Sequence, residues 1–473
     1  MAKERLERYP TGTDGLDTIL QGGFVRGSAY ILQGPPGAGK TILANQFCFR
    51  HAANGGRALY ISLLAESHHR MLDYMRDLAF FNESVIPERL SYVSAFNTLH
   101  QDGLSGLMKL VYEEIRRHEA TAMVLDGVFA ARASTDTDHS YRRFIHELRG
   151  IANAADCTLL LLTHQNHEPA SPEHTMVDGW ISLQDEMRGF MAYRTLQVYK
   201  QRGGAMLRGK HSFRISDDGL QVFPRLETTL SRTPRTDQAI SRIGSGIPGL
   251  DLMLNGGFPM NSATLAMGPT GAGKTTMGLH FLAGATPAEP ALMLSFYETP
   301  ARICVKAKEI GIDADRLIET GALEILWYPP SENIVDEIGH VLLERVRSRH
   351  VKRLFVDGIV ALRDSLVPSE RLPGFLNALN NHFRELGVTV LYTSELRQVS
   401  QPDKLPSDEI SAMIDNLLIL NYAQQGDLLR RRLSVLKLRD SSFDTRSREI
   451  YIGETGLNFG ANPKLSAGIG AGS

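Results

Sequence analysis

Two stretches of this chain, residues 12–41 (GTDGLDTILQGGFVRGSAYILQGPPGAGKT) and 246–275 (GIPGLDLMLNGGFPMNSATLAMGPTGAGKT), match at 17 of 30 positions without a gap. They begin 234 residues apart (246 − 12), about half of the 473-residue chain. Other features recur at nearly the same offset: Leu125–Gly127 (LDG) against Val356–Gly358 (VDG), and Lys200–Arg202 (KQR) against Lys437–Arg439 (KLR). A duplication of this length predicts two similar domains, each large enough to bury its own core. The expected organisation is a first domain at 1–228, a linker at 229–241, a second domain at 242–460 and a tail at 461–473. The linker falls within PRLETTLSRTPRTDQAIS (224–241), where two prolines and several Ser/Thr interrupt any apolar period. The tail, rich in Gly, Ala and Ser, offers little to bury and is expected to be disordered.

Within each half, short apolar runs alternate with amphipathic segments. Residues 28–33, 58–63, 123–125 and 158–163 read as strands, and 263–267, 291–295, 354–356 and 388–393 repeat them. Residues 41–51 show helical spacing, with Ile42, Leu43, Gln46 and Phe47 on one face. Continuous apolar strands separated by helices predict an α/β fold with a mainly parallel sheet covered on both sides.

The chemistry sits in G-x-x-x-x-G-K-[ST], which occurs as Gly34–Thr41 (GPPGAGKT) and Gly268–Thr275 (GPTGAGKT). Each copy follows a strand pattern and opens a helix, the context in which backbone N–H groups curl around phosphates. The expected ATP contacts are Gly34, Gly37, Ala38, Gly39, Lys40, Thr41 and Ile42, with Gly268, Gly271, Ala272, Gly273, Lys274, Thr275 and Thr276 in the second copy. Lys40 and Lys274 would reach the β/γ-phosphates, while Thr41 and Thr275 would hold Mg²⁺. Asp126 and Asp357 each close an apolar strand before a glycine, as a magnesium-ordering aspartate does. Glu66 and Glu298 follow the strand after each phosphate loop and are the candidates for orienting the attacking water or hydroxyl.

Taken together, these residues resemble the KaiC family of double-domain RecA-like P-loop ATPases. The resemblance runs over nearly the whole chain. Its specific part is the G-x-x-G-L-D…GG segment before each loop (Gly15–Asp17, Gly22–Phe24; Gly249–Asp251, Gly256–Phe258) and the K-x-R segment near each domain's end. The resemblance implies a homo-oligomeric ring, usually a hexamer, with ATP and Mg²⁺ held between neighbouring subunits. Lys200, Arg202, Lys437 and Arg439 would then reach the neighbour's nucleotide. It also implies ATP hydrolysis, Ser autophosphorylation in the second domain with Ser411 as acceptor, and a role in signalling, clock or stress regulation beside a signalling or Kai-type regulatory protein. Three departures stand out. Ala65 and Tyr297 occupy the first of two positions that the family typically keeps acidic. Ala412 replaces one hydroxyl of the paired acceptor, and Asp440 replaces the glycine after the second K-x-R.

Composition constrains less. The chain carries 51 Lys+Arg against 53 Asp+Glu and has a formal net charge of −2, which argues against a nucleic-acid coat or a membrane-surface protein. Its three cysteines lack metal or disulfide spacing, its opening MAKERLERYP is charged, and no apolar run reaches membrane-spanning length, so a cytoplasmic location is expected. His164, His167 and His174 read as a polar active-site loop in preference to a metal site. Arg430–Arg432 and the basic stretch 345–353 read as solvated or interface charge. Two alternatives accompany the ATPase reading: an ATP-gated scaffold with little turnover, and a RecA-like DNA-handling ATPase.

Overall fold

The computed structural model describes residues 6–65, 67–134, 137–164, 172–188, 191–229, 241–329, 333–395, 413–425, 428–439 and 441–460. Glu66, His167, Ser411, Asp440 and the 461–473 tail lie outside the described residues. The chain divides into two compact units that meet at Thr228/Thr229. Among the described residues, each unit is built on one nine-stranded sheet.

In the first unit, Leu90–Ser94, Ala58–Ser62, Ala122–Asp126, Thr158–Thr163, Ala29–Gln33 and Gly179–Arg188 lie side by side and parallel. Met191–Gln201, Lys210–Ser216 and Gly219–Phe223 continue the sheet as antiparallel hairpins. The second unit repeats the order with Leu323–Trp327, Ala291–Ser295, Arg353–Asp357, Thr389–Glu395, Ala263–Gly268 and Asn416–Gln425. Leu428–Leu438, Arg448–Gly453 and Gly456–Phe459 are its antiparallel extension. The two units are thus α/β folds on mainly parallel sheets, as the alternation of apolar runs and helices predicts, and they have the tandem RecA-like form that the resemblance implies. The central strands are buried on both faces: in the first unit Tyr30 and Leu32 pack into one apolar cluster while Ala29 and Ile31 pack into another.

The helix after each phosphate loop, Lys40–Ala53 and Lys274–Ala283, lies on one of these faces. Leu43 and Phe47 are fully buried, Gln46 nearly so, and Ile42 is partly buried against the same cluster. In the second unit the contact is closest at Gly278, where a Cβ would come within 2.1 Å of the Phe355 ring on the Asp357 strand. Gly278→Ala is therefore expected to destabilise the second unit by about 1–3 kcal/mol, the usual range for forcing an extra carbon into a packed core. A fall in its thermal unfolding midpoint checks this, and an unchanged midpoint would mean that helix and sheet are loosely packed.

Most of the duplicated G-x-x-G-L-D…GG segment proves to be structural. Asp17 Oδ1 accepts from the Thr11 N–H at 2.8 Å, and Asp251 Oδ1 accepts from the Ser245 N–H at 2.8 Å. Gly23 and Gly257 have φ of 108° and 114°, and a Cβ on either would lie 2.2 or 2.4 Å from the carbonyl oxygen of Tyr9 or Ile243. These residues tie the short helix Asp14–Ile19 or Pro248–Met253, and the glycine turn after it, to the two-residue strand Arg8–Tyr9 or Arg242–Ile243. Arg353 also departs from its expected solvated role. It is 8% exposed, and its guanidinium donates to the carbonyls of Gly244 and Phe281 at 2.8 and 3.2 Å. The two carbonyls and the Phe281 ring, 5.1 Å below the guanidinium, hold this cation in the interior.

Candidate nucleotide sites

Each phosphate loop emerges from the carboxyl end of the strand near the middle of its sheet. Gly34 and Gly268 pass so close to the next strand that a Cβ would sit 2.5 Å from the Leu183 oxygen or 2.4 Å from the Leu420 oxygen. Gly37 and Gly39 have φ of 78° and 93°, and Gly271 and Gly273 have φ of 77° and 108°, in the left-handed region that favours glycine. This backbone turns the loop back over the start of the helix. Ala38 and Ala272 are buried beneath it.

The lysines adopt one geometry in both copies. Lys40 Nζ donates to the carbonyls of Gly34 and Pro35 at 2.7 and 2.9 Å, and Lys274 Nζ donates to those of Gly268 and Pro269 at 2.7 and 2.8 Å. Burial pushes both ammonium groups below the ordinary lysine value, with Asp126 opposing it for Lys40, and Glu395 and then Asp357 opposing it for Lys274. Such an ammonium, held only by neutral carbonyls, is electrostatically suited to a phosphate.

Asp126 and Asp357 stand at the ends of strands Ala122–Asp126 and Arg353–Asp357. Asp357 Oδ2 accepts from the Thr275 hydroxyl at 2.9 Å, and its Oδ1 accepts from the Thr393 hydroxyl at 2.6 Å. Asp126 Oδ2 accepts from the Tyr60 hydroxyl at 2.6 Å. Burial raises both carboxyl groups above the usual aspartate value, against the lowering effect of these hydroxyl donors. A loop threonine beside a buried aspartate is a hard-oxygen donor set that fits Mg²⁺.

In the second unit a cavity of about 370 Å³ opens over the loop. Lys274, Thr275, Thr276, Glu298, Asp357 and Glu395 are among the residues lining it. Glu298 is paired with Lys306 through one carboxylate oxygen, and the other is buried without a hydrogen-bond partner. Tyr297, where the resemblance calls for an acid, is 61% exposed at the cavity wall.

The K-x-R residues lie elsewhere. Lys200 pairs across from Trp180, which lies beside Ile31, and Lys437 pairs with Leu417, which lies beside Leu265. Arg202 and Arg439 are further back, bound through Asp178 and Asp415 to the strand starts at Ala29 and Ala263. At about 3.3 Å per residue this is roughly 10 and 16 Å down the sheet from the loop of the same domain. Lys200 Nζ donates to the carbonyls of His174 and Thr175, both at 3.0 Å, and Lys437 Nζ to that of Ile414 at 2.6 Å. Arg439 meets Asp415 at 3.0 Å and Arg202 meets Asp178 at 3.5 Å.

A family model described as "ATPase: KaiC" matches residues 9–227 and again 243–464. The chain belongs to the KaiC family of ATPases. It is 26% identical over 95% of its length to the "Circadian clock oscillator protein KaiC" of Picosynechococcus, covering 89% of that protein. It is likewise 26% identical over 95% of its length to the protein of the same name from Prochlorococcus marinus, covering 90% of it. No helix among the described residues is long and apolar enough to cross a membrane.

Several residues in this KaiC-family site escaped sequence reasoning. Glu395 accepts from the Thr270 hydroxyl at 2.8 Å and lies close enough to Lys274 to influence its charge. The same strand position in the first unit is His164, which the sequence does place in a polar active-site loop; it packs on Phe129 at 4.2 Å, and Lys40 and Asp126 both influence its charge. Arg431, expected to be solvated or at an interface, donates from Nε to the Gly271 carbonyl at 3.1 Å, within the phosphate loop. Its partners Arg430 and Arg432 instead bind Glu449 and Ser447. The signal for all of these is sheet register. Among the described residues no group of His, Cys, Asp and Glu side chains gathers as a metal site, and His174 is committed to Gln33.

Proposed function

We propose that this protein binds and hydrolyses ATP with Mg²⁺ at two loops per chain, within a homo-oligomeric ring, a hexamer in the resemblance. The observation that carries this reading is the duplicated geometry: a half-buried lysine resting on loop carbonyls, with a threonine and a strand-end aspartate beside it in both units. Lys40 and Lys274 swing from the carbonyls to the β/γ-phosphates. Thr41 with Asp126, and Thr275 with Asp357, hold the metal, which when bound draws charge from the phosphate oxygens. Glu66 and Glu298 orient the nucleophile. In-line attack forms the new P–O bond as the γ-phosphorus leaves the β,γ-bridging oxygen, and the nucleophile's proton passes to the carboxylate.

Lys200, Arg202, Lys437 and Arg439 act on the neighbouring subunit's nucleotide. Their distance from their own loop supports this assignment. Each domain then has a donor edge and a receiving edge, and such a heterologous contact closes into a ring where the rotation allows. Ser411 is the acceptor for autophosphorylation in the second domain, and the protein works in the cytoplasm in clock, stress or other signalling with a regulatory protein partner. Its three free cysteines suit a reducing compartment.

One observation favours the ATP-gated scaffold as a second reading. Tyr297 replaces an acid, and Lys306 engages the remaining Glu298, so second-domain turnover would be slow. Purified protein given γ-labelled ATP separates these readings. The proposal expects free labelled phosphate together with protein-bound label that disappears in Ser411→Ala. Release no faster than from the Lys40→Ala/Lys274→Ala protein would favour the scaffold. Label persisting in Ser411→Ala would exclude Ser411.

A further inference from the structure

The first domain carries a side-chain column with no counterpart among the described residues of the second. Trp180 stacks on His174 at 3.7 Å and 8° and on Tyr199 at 4.3 Å and 19°. The Trp180 Nε1–H donates to Gln33 Oε1 at 2.8 Å, and His174 Nε2 lies 2.9 Å from the same oxygen. An indole N–H can only donate, so the Gln33 oxygen must face it, and the proton on His174 must then sit on Nε2. The three groups fix one another's orientation and tautomer. Gln33 and His174 are 4% and 7% exposed, so water cannot readily replace these bonds.

Both ends of the column reach the nucleotide machinery. Gln33 immediately precedes Gly34, whose carbonyl holds Lys40. At the other end Lys200 holds the carbonyls of His174 and Thr175. In the second domain, register puts Met267 at the Gln33 position and Leu417 at the Trp180 position. Leu417 has no donor to offer, and the Met267 thioether is at most a weak acceptor.

We infer that Gln33, His174 and Trp180 are positioning residues that couple the first domain's phosphate loop to its Lys200 edge. This rests on the interface role of Lys200 proposed above. Phosphates drawing Lys40 off the Gly34 carbonyl loosen the loop beside Gln33. A neighbour's nucleotide drawing Lys200 away frees the carbonyl of the residue that holds Gln33. Each event therefore alters the same hydrogen-bonded trio, so first-domain sites respond to one another around the assembly. Among the described residues of the second domain, Met267 and Leu417 at the matching positions provide no such route.

The chain contains two tryptophans, so Trp327→Phe leaves Trp180 as the sole indole reporter in the full-length protein. Mg-ATP is expected to shift Trp180 emission along a sigmoidal binding curve, with labelled ATP retained on the protein measured in the same samples. Gln33→Met, which installs the second domain's residue, is expected to abolish the shift at saturating ATP and bring the Hill coefficient to about 1. His174→Ala should do the same, whereas His174→Gln, which keeps a donor, should recover the response. Retained ATP with unchanged Trp180 emission, or variants that respond like the parent, would overturn the relay alone. Failure to retain ATP at all would overturn the proposed function and the relay with it.

Discussion

Lys274→Ala is expected to lower second-domain ATP hydrolysis by about 10²–10³-fold, and Lys40→Ala to do the same in the first domain, the usual cost of deleting one preorganised charge from a phosphoryl-transfer site. The ammonium is half-buried and already positioned by two carbonyls in each loop. It therefore meets the phosphates with little reorganisation, and an alanine leaves their charge facing only backbone dipoles. Removing it frees one carbonyl on a buried glycine and one on a partly exposed proline in each loop, a cost of about 1–3 kcal/mol that the folded protein should bear. Phosphate release by each single variant and by the double variant measures the effect. Each single variant should retain the other domain's contribution, and the double variant should fall to background. A double variant as active as the parent would place the chemistry elsewhere.

Arg439→Ala is expected to have the largest catalytic effect of any change outside the loops. A charged group supplied by a neighbour to a transferring phosphoryl contributes on the order of 10³-fold or more. Arg439 is 49% exposed and held by Asp415, which also meets Arg384 at 3.2 Å, so the carboxylate keeps a partner when Arg439 is gone. The fold should tolerate the change. Retained ATP should persist while hydrolysis falls, which separates this variant from Lys274→Ala. Arg202→Ala should behave in parallel in the first domain, where Arg149 similarly remains with Asp178 at 2.8 Å. Equal loss of binding and hydrolysis would point to a structural role instead.

The phosphate loops and the strand-end aspartates were legible in the sequence because their chemistry is local. Eight consecutive residues dictate the loop, and an apolar run ending in Asp-Gly dictates the carboxylate. The residues that sequence reading missed arrive through sheet register between distant segments. Arg431 reaches Gly271 only because Leu428–Leu438 folds back along Asn416–Gln425, beside the phosphate-loop strand. Glu395 takes the strand position that His164 holds in the first unit, and no local motif marks it. Arg353 ends a run of basic residues and looked solvated, yet two carbonyls and a phenyl ring take it into the core. Conversely, the duplicated aspartates and paired glycines, which carry much of the resemblance, are backbone ties.

If each nucleotide site takes residues from two subunits, as proposed above, two impaired proteins should restore each other when mixed. Lys274→Ala keeps an intact donor edge and Arg439→Ala keeps an intact loop. In mixed assemblies some interfaces pair a wild-type Lys274 with a wild-type Arg439. Phosphate release by the mixture is expected to exceed the average of the two proteins assayed alone, with the excess falling on dilution below the concentration needed for assembly. Release equal to that average at every ratio and concentration would contradict it.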